Sequence, residues 1–364
     1  MRFPEFSGEW KEEQLDSIAT LSKGIGISKE QLSEDGEPCI LYGELYTKYK
    51  SEIINHVESK TDIDSSKLKR SKANDVIIPC SGETAVDIAT ARCVPFDNIL
   101  LGGDLNVISL HKYDGAFMSY QLNGKRKYDI ARVAQGVSVV HLYGEHLKAI
   151  KTYNPSLPEQ QKIAELLSLI DERIATQNKI IKKYESLIKG IAHRVAGMGK
   201  PNVRIAECLE CTSSTLQESE VSEVGTYPVY GANGIVGYLD SYNTSDEAIY
   251  IVKDGSGVGS VAYVKGRCSA TGTLNILTAQ KDYSLQFLYY LLKVFNYDPY
   301  KTGMAIPHIY FKDYGKTKIF CPSYNVQLLY ARMLVAIDTK LLTEEKYLYR
   351  LNCQKQYLLR QMFI

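Results

Sequence analysis

Two long stretches of the chain repeat apolar residues at alternating steps of four and three. A repeat that averages 3.5 residues keeps one stripe of side chains facing a partner helix, as in a coiled coil. The pattern therefore predicts two long helices, each of which is the other's partner. The predicted seam positions are Ile163, Leu167, Ile170, Ile174, Gln177, Ile181, Tyr184, Ile188 and Ile191 in the first helix, and Tyr330, Leu334, Ile337, Leu341, Glu344, Leu348, Leu351 and Leu358 in the second.

The two helices belong to an internal repeat. Adding 167 to a seam number of the first helix gives a seam number of the second, which places Gln177 on Glu344 and sets Lys355, an interruption, opposite Ile188. The segment 136–143 matches 303–310 at the same offset, whereas 15–19 matches 205–209 at an offset of 190. The change of offset predicts an insertion of about twenty residues in the first copy. Two copies indicate a duplication rather than a solenoid, which needs more and shorter units.

Each copy combines a segment of mixed strands and short helices with one long helix, so we predict an α+β fold class. A chain of 364 residues suits two domains, each with its own core. The predicted boundaries are 1–152 for the first globular domain, 153–196 for the first long helix, 197–321 for the second globular domain and 322–364 for the second long helix.

The ends of the first long helix carry recognisable signals. Ser156 and Glu159 form a capping-box pattern, and Pro158 lies in the first turn, where its missing N–H is tolerated. Gly197 predicts the end of the helix near Ala196. The second helix is predicted to begin near residue 323 with a poorer cap. Gln177 and Glu344 are interpreted as a polar layer that sets the helix register.

Composition narrows the functional classes only slightly. The net charge of +1 neither favours nor excludes nucleic acid, because only local positive charge matters for phosphate binding. The eight cysteines are scattered and are predicted to be buried thiols, and the lone pair Cys208 and Cys211 lacks the second pair of a zinc site. No apolar run is long enough to span a membrane and no signal peptide is recognisable, so we expect a cytoplasmic protein.

Two motifs resemble enzyme signatures but do not fit them. The glycine-rich stretch 254–259 is preceded and followed by strand-like segments, which favours a hairpin over a cofactor loop that opens a helix. The stretch 296–300 resembles an adenine-N6 methyltransferase motif, but Tyr297 and Asp298 stand where other residue types are needed. We predict no catalytic residue and no metal ligand in this chain.

The sequence resembles the specificity subunits of type I restriction–modification systems over nearly its whole length. The stretch 155–164, with 169–174 after it, looks like the central conserved region of that family and its proline-led helix entry. The stretches 231–238 and 254–259 resemble a common type of second target-recognition domain, and 81–84, 102–104 and 135–142 resemble a first one. The second helix departs from the family pattern at its entry, 323–327, and at Lys355.

This resemblance implies two target-recognition domains in inverted orientation, separated by a long antiparallel two-helix coiled coil. Each domain would read one half of a bipartite, asymmetric site on double-stranded DNA, and the coil length would fix the unread spacer. Two modification subunits, which use S-adenosylmethionine, and restriction subunits, which use ATP and Mg²⁺, are the implied partners. No cofactor is expected on this chain, which would act in the cytoplasm of a bacterium or archaeon.

Base-contacting residues vary across the family, so the candidates come from polar or basic side chains beside glycines and predicted turns. In the first domain they are Lys23, Tyr42, Lys48, Ser81, Thr84, Arg92 and Ser138, and in the second they are Tyr230, Asn233, Tyr238, Lys253, Ser256, Arg267, Lys301 and Thr302. Two alternatives stay open at this point: a free-standing adenine-N6 DNA methyltransferase and a coiled-coil adaptor that does not bind DNA.

Overall fold

The computed structural model describes residues 2–363, which form two compact units. Unit 1 contains the described residues up to Gln177 together with those from Tyr347 onward, and unit 2 contains Asn178–Lys346. Each unit therefore holds one globular segment and part of both long helices. The predicted α+β fold class with an internal duplication is confirmed.

Secondary structure alternates between short strands and short helices until the first long helix. The elements up to that helix are β1 (Lys11–Gln14), α1 (Leu15–Ile18), β2 (Ala19–Lys23), β3 (Glu37–Ile40), α2 (Glu44–Thr47), β4 (Lys60–Thr61), β5 (Lys69–Arg70), β6 (Asp75–Pro79), β7 (Ser81–Gly82), α3 (Ala85–Ile88), β8 (Arg92–Val94), β9 (Leu100–Leu101), β10 (Leu105–Leu110), α4 (Gly115–Asn123), α5 (Lys127–Val133), β11 (Val140–His141), α6 (Gly144–Lys148), β12 (Lys151–Asn154) and α7 (Leu157–Ala196).

The second half of the chain repeats this pattern in a shorter form. Its elements are β13 (Val203–Arg204), α8 (Ile205–Cys208), β14 (Leu209–Ser213), β15 (Tyr227–Gly231), β16 (Gly234–Leu239), β17 (Glu247–Val252), β18 (Val261–Lys265), β19 (Ser269–Ala270), β20 (Leu274–Ala279), α9 (Leu285–Lys293), α10 (Phe311–Tyr314), β21 (Lys318–Ile319) and α11 (Tyr324–Gln361). The long helices α7 and α11 contain 40 and 38 residues.

The central sheet has the same topology in both units. Its antiparallel strand order is β2-β10-β6-β8 in unit 1 and β14-β20-β17-β18 in unit 2. Helix α4 packs on β6 and β8, and α9 packs on the equivalent strands β17 and β18. The predicted insertion is also present, because residues 41–74 connect β3 to β6 where only residues 232–246 connect β15 to β17.

Apolar side chains from the strands and short helices form a separate core in each unit. In unit 1 the sheet residues Val76, Ile78 and Ile108 pack with Met118 and Leu122 of α4. The equivalent core of unit 2 consists of Ile205, Leu209, Ile249, Ile251, Leu277, Phe287, Leu288, Leu291 and Tyr314, among others. Because each core is complete within its own unit, each unit has its own source of hydrophobic stabilisation.

The long helices run antiparallel within each unit. In unit 1, Lys355 of α11 contacts Asp171 of α7, while Tyr347, two turns earlier in α11, lies beside Thr176, later in α7. The apolar seam residues Ile163, Leu167 and Leu358 share one cluster in this unit. In unit 2, Tyr330 at the start of α11 donates a hydrogen bond to Met198 just after α7. The predicted seam side chains are buried or half-buried in the structure.

Both long helices begin with a glutamine that makes the same pair of hydrogen bonds, an arrangement called here the glutamine latch. The buried Gln160 donates from Nε2 to the Pro155 carbonyl oxygen at 2.8 Å, and its Oε1 accepts from the Asp114 amide at 2.9 Å. In unit 2, Gln327 makes the same two bonds to Pro322 and Ser284, both at 2.9 Å. Since Asp114 and Ser284 cap α4 and α9, each latch ties a long helix to the helix that covers the sheet.

The Glu159 carboxylate does not make the reciprocal contact with Ser156 that the capping-box pattern predicts. Both of its oxygens instead accept hydrogen bonds from Arg2, from Nε and from Nη2, at 2.7 Å each. A paired guanidinium–carboxylate contact is stronger than a bond to a neutral backbone amide, which explains the preference. The prediction was wrong because a local motif cannot indicate a partner that lies 157 positions away in the sequence.

Lys355, which interrupts the seam pattern, is buried in unit 1 with 8% of its surface exposed. Its ammonium lies 2.5 Å from a Glu52 carboxylate oxygen and 2.6 Å from an Asp171 carboxylate oxygen. Tyr120 donates a 2.7 Å hydrogen bond to Asp171, and its ring lies under the ammonium, 5.8 Å from the centroid. Burial is the largest influence on the pKa of Glu52 and raises it.

This ion cluster is specific to unit 1. The repeat places Ile188 at the position equivalent to Lys355, and this apolar side chain is buried in unit 2. Glu52 belongs to the long connection 41–74 that unit 2 lacks. In unit 2 an isoleucine replaces the lysine, and the connection that supplies the glutamate is missing. The residue type at position 355 therefore depends on the inserted segment.

We predict that Lys355→Met destabilises unit 1 by about 3–5 kcal/mol, because two carboxylates would remain buried without their cation. The sole tryptophan, Trp10, reports on this region directly, since it packs on Phe117 and Phe363 beside the end of α11. Urea denaturation followed by Trp10 fluorescence should show the transition at a clearly lower urea concentration.

The matched control is Lys340→Met on the same helix. Its ion pair with Glu344 is exposed on the lysine side, so the urea concentration at the transition should stay close to that of the wild type. Combining Lys355→Met with Glu52→Gln and Asp171→Asn should restore much of the lost stability, because the uncompensated charges are removed. Equal effects of Lys355→Met and Lys340→Met would refute this account of the cluster.

Candidate nucleic-acid interface

A cleft of about 770 Å³ opens between α2, α3 and the loop before β11 in unit 1. Four predicted residues line it: Tyr42, Ser81, Arg92 and Ser138. The cleft also contains Lys50, Glu83 and Asp87, so its charge is mixed rather than basic. Tyr46 fixes one wall by donating a 3.0 Å hydrogen bond to the Ser81 carbonyl oxygen, and burial raises the pKa of its hydroxyl, which keeps it protonated as a donor.

Arg92 lines the floor of this cleft but acts within the fold. Its guanidinium donates to the backbone carbonyl oxygens of Tyr49, Ala91 and Leu45 at 3.0, 2.9 and 3.5 Å. Burial lowers the pKa of this arginine, while the charges of Glu52 and Asp171 oppose that shift. Arg92, predicted to contact DNA, therefore uses its guanidinium to support β8 and the neighbouring backbone.

Three further candidates of unit 1 are distributed around the cleft. Lys48 lies in a neighbouring groove, where it pairs with Glu44 at 2.7 Å and donates to Ser59 at 2.6 Å. Thr84 caps α3, accepting from the Asp87 amide. Lys23 ends β2 and places its ammonium over the Tyr143 ring, 5.7 Å from the centroid. Tyr42 borders both grooves and is partly exposed, so it connects the two surfaces.

A bridged loop forms one rim of the cleft. The amides and carbonyls of Gln135 and His141 exchange two hydrogen bonds of 2.9 and 2.7 Å, which closes residues 136–140 into a loop. Strand β11 pairs with β7, and His141 Nδ1 lies 3.3 Å from Ser81 Oγ. Gly136 has a φ of +123°, and a Cβ there would lie 2.1 Å from the Val139 carbonyl oxygen, so only glycine fits.

Unit 2 contains the equivalent bridged loop. Thr302 and His308 exchange two hydrogen bonds of 2.9 and 2.7 Å around residues 303–307, and Gly303 has a φ of +86°. His308 Nδ1 lies 2.7 Å from the Asp254 carboxylate, where unit 1 has the serine hydroxyl. The Gly255 amide donates to the Pro307 carbonyl oxygen at 3.0 Å, so this loop is anchored on the glycine-rich turn.

Four of the eight second-domain candidates lie at this place. Lys253 and Ser256 belong to the turn after β17, and Lys301 and Thr302 lead into the loop. Lys253 accepts through its backbone carbonyl from the Ile309 amide at 2.9 Å, and Lys301 forms an exposed ion pair with Asp298 at 2.7 Å.

The hairpin β15–β16 carries three other candidates, Tyr230, Asn233 and Tyr238. Asn233 and Tyr238 are exposed, whereas Tyr230 is half-buried against Tyr250 with ring centroids 5.8 Å apart. Arg267 lies at the open end of this hairpin, stacked 5.1 Å from the centroid of the Tyr242 ring and hydrogen-bonded to Tyr227, the first residue of β15. In unit 2 the structure therefore joins the glycine-rich turn to the loop 303–307, and the remaining four candidates lie on or beside the hairpin β15–β16.

The two enzyme-like motifs have structural roles. Strands β17 and β18 are antiparallel neighbours, so the glycine-rich stretch 254–259 is a hairpin turn, as predicted. The stretch 296–300 follows α9 and contains a short 3₁₀ turn, Asp298–Tyr300. Tyr297 is buried against that hairpin turn, where a Cβ on Gly259 would lie 3.1 Å from its ring.

The cysteines also have packing roles. Six of them are buried, Cys211 is half-buried and Cys353 is exposed. Cys208 and Cys321 are buried in the same core of unit 2. Within residues 2–363, no group of three His, Cys, Asp or Glu side chains could hold a metal ion. None of the helices formed by these residues is long and apolar enough to cross a bilayer.

Sequence reasoning missed the two anchoring histidines, His141 and His308. The signal was available, since the repeat aligns them within the matched segments 136–143 and 303–310. Their role depends on Ser81 and Asp254, which are 60 and 54 positions away and share no local pattern. Only the fold shows that each histidine holds the base of a bridged loop.

Comparison with known proteins agrees with the repeated architecture. The family described as "Type I restriction modification DNA specificity domain" matches residues 7–186 and again residues 202–351. A protein of Mycoplasma genitalium named as a type I specificity subunit is 23% identical, over 97% of this chain and 94% of its own length. The EcoprrI specificity subunit of Escherichia coli is 27% identical over 31% of this chain and 28% of its own.

Two solved structures share the fold. The crystal structure of the S subunit of the Mycoplasma genitalium type I system aligns over 100% of this chain and 99% of its own, with a TM-score of 0.69 and 20% identity. A chain from a study of type I complex assembly and conformational transition aligns over 98% of this chain and 97% of its own, with a TM-score of 0.56 and 14% identity. With two family matches and two units of one topology, the chain belongs to the type I restriction–modification DNA specificity family and is a specificity subunit.

Proposed function

We propose that unit 1 and unit 2 each read one half of a bipartite, asymmetric site on double-stranded DNA. The observation that carries this proposal is the repetition of one sheet topology with different surface residues at equivalent places. His141 faces a serine in unit 1 while His308 faces an aspartate in unit 2, so the two units present different chemistry on one scaffold. Two domains that present different side chains to DNA would recognise two different half-sites.

The proposed reading surfaces are the cleft with Tyr42, Ser81 and Ser138 in unit 1, and the region of the glycine-rich turn in unit 2. Hydroxyl, amide and ammonium groups at these places can donate to base edges and phosphates. The low net charge fits a subunit whose partners supply part of the phosphate contacts. The coil-adaptor alternative leaves these polar surfaces without a role.

Specificity subunits of this family assemble with other subunits of their systems and bind DNA. We propose that this chain scaffolds two modification subunits, which bind S-adenosylmethionine, and restriction subunits, which bind ATP and Mg²⁺, in the cytoplasm. The adenine-methyltransferase alternative loses its structural basis, because the glycine-rich stretch joins two strands and opens no helix.

Sequencing of methylated adenines in cells with and without this gene tests the proposal. The expected result is one split motif, with two specified halves and an unread spacer, that disappears when the gene is deleted. A continuous short motif, or methylation that does not depend on the gene, would contradict it.

We predict that Tyr42→Ala weakens binding of the assembled complex to its motif by about tenfold or more, because a contacting side chain contributes about 1–3 kcal/mol. Fluorescence anisotropy with a duplex that carries the motif measures the effect. Tyr128→Ala is the matched control, since Tyr128 is more exposed than Tyr42 and lies outside the cleft. If the two variants bind alike, the cleft does not contact DNA.

A further inference from the structure

The tips of the two bridged loops carry exposed apolar side chains. In the loop 136–140, Val137 is 98% exposed and Val139 is 53% exposed. In the loop 303–307, Met304 is fully exposed and Ile306 is 58% exposed. Large apolar side chains that face water at matched places in both units call for an explanation, whereas single ones would not.

Several contacts fix the base of each loop, so the exposed tips have a defined position. Each loop is closed by a two-bond bridge and a glycine in the left-handed region, and each is anchored by a histidine. The residue after each histidine, Leu142 in unit 1 and Ile309 in unit 2, is completely buried. This rigidity lowers the entropy lost when a tip is immobilised by a ligand.

The surroundings of the tips indicate what they contact. Ser138 and Val139 line the cleft that also contains Tyr42 and Ser81, so the first tip is continuous with the proposed DNA surface. Lys301 and Thr302 stand at the base of the second tip, and both are exposed. Two protruding side chains are far too small for a protein–protein interface, which buries about 800 Å² on each partner. They suit an apolar contact inside a DNA groove.

We propose that the paired apolar tips, Val137 with Val139 and Met304 with Ile306, enter the DNA and contact the base pairs of their half-sites. This inference rests on the proposed function and adds a mode of reading to it. Side chains without donors or acceptors cannot read hydrogen-bond patterns, but they can pack on a thymine methyl group or enter a base step and unstack it. The different shapes of the two tips then favour different base steps through one mode of contact.

The test uses the full chain assembled with its modification subunits and a duplex carrying the motif found by methylation sequencing. The variants are Val137→Ser with Val139→Ser, and Met304→Ser with Ile306→Ser. Each should weaken binding by about tenfold or more, and each should lose discrimination at one half-site only. Val224→Ser is the matched control, because Val224 is exposed in unit 2 outside both loops and should bind as the wild type does.

Two duplex probes separate the two modes of contact. Uracil in place of thymine should reproduce the loss of affinity if a methyl group is contacted, and 2-aminopurine in a half-site should brighten on binding if the step is unstacked. Loop variants that discriminate both half-sites like the wild type would overturn the inference. Loss of subunit assembly in place of DNA affinity would also overturn it, because the tips would then dock on protein. A wild-type complex without a split motif would instead count against the proposed function.

Discussion

The burial of the Lys355 ammonium between Glu52 and Asp171 is the constraint on which unit 1 depends. The three groups come from the end of the last helix, the inserted connection and the first long helix, so one ion cluster joins segments from both ends of the chain. A buried ammonium is tolerated only where carboxylates neutralise it, and buried carboxylates need their cation equally. The aromatic group of Trp10, Phe117 and Phe363 then packs beside this cluster.

The two units share the contacts that stabilise their fold and differ in the side chains that they expose. The glutamine latches and the central sheets are equivalent in both. The loops, turns and cleft walls have different residues at equivalent places. A fixed scaffold with variable loops is the arrangement expected of a protein that must read two different half-sites.

The sequence predicted those features that depend on periodicity and local turns. The helices, the duplication, the insertion and the glycine-rich hairpin follow from apolar spacing and from residues close together in the chain. It did not predict the role of Arg92, which is bonded to backbone carbonyls 43 and 47 positions away rather than being free to contact DNA. Lys355 likewise resembled a defect in the seam, because its glutamate lies 303 positions away. Pairings over such distances become visible only in the folded chain.

The central claim is that the two units read their half-sites independently. The most direct measurement replaces the globular segment of unit 1 with that of another family member, retaining Glu52 as the partner of Lys355, and sequences the methylated adenines. The account predicts that one half of the split motif changes while the other half is retained. A change in both halves, with the chimera folded and assembled, would contradict it.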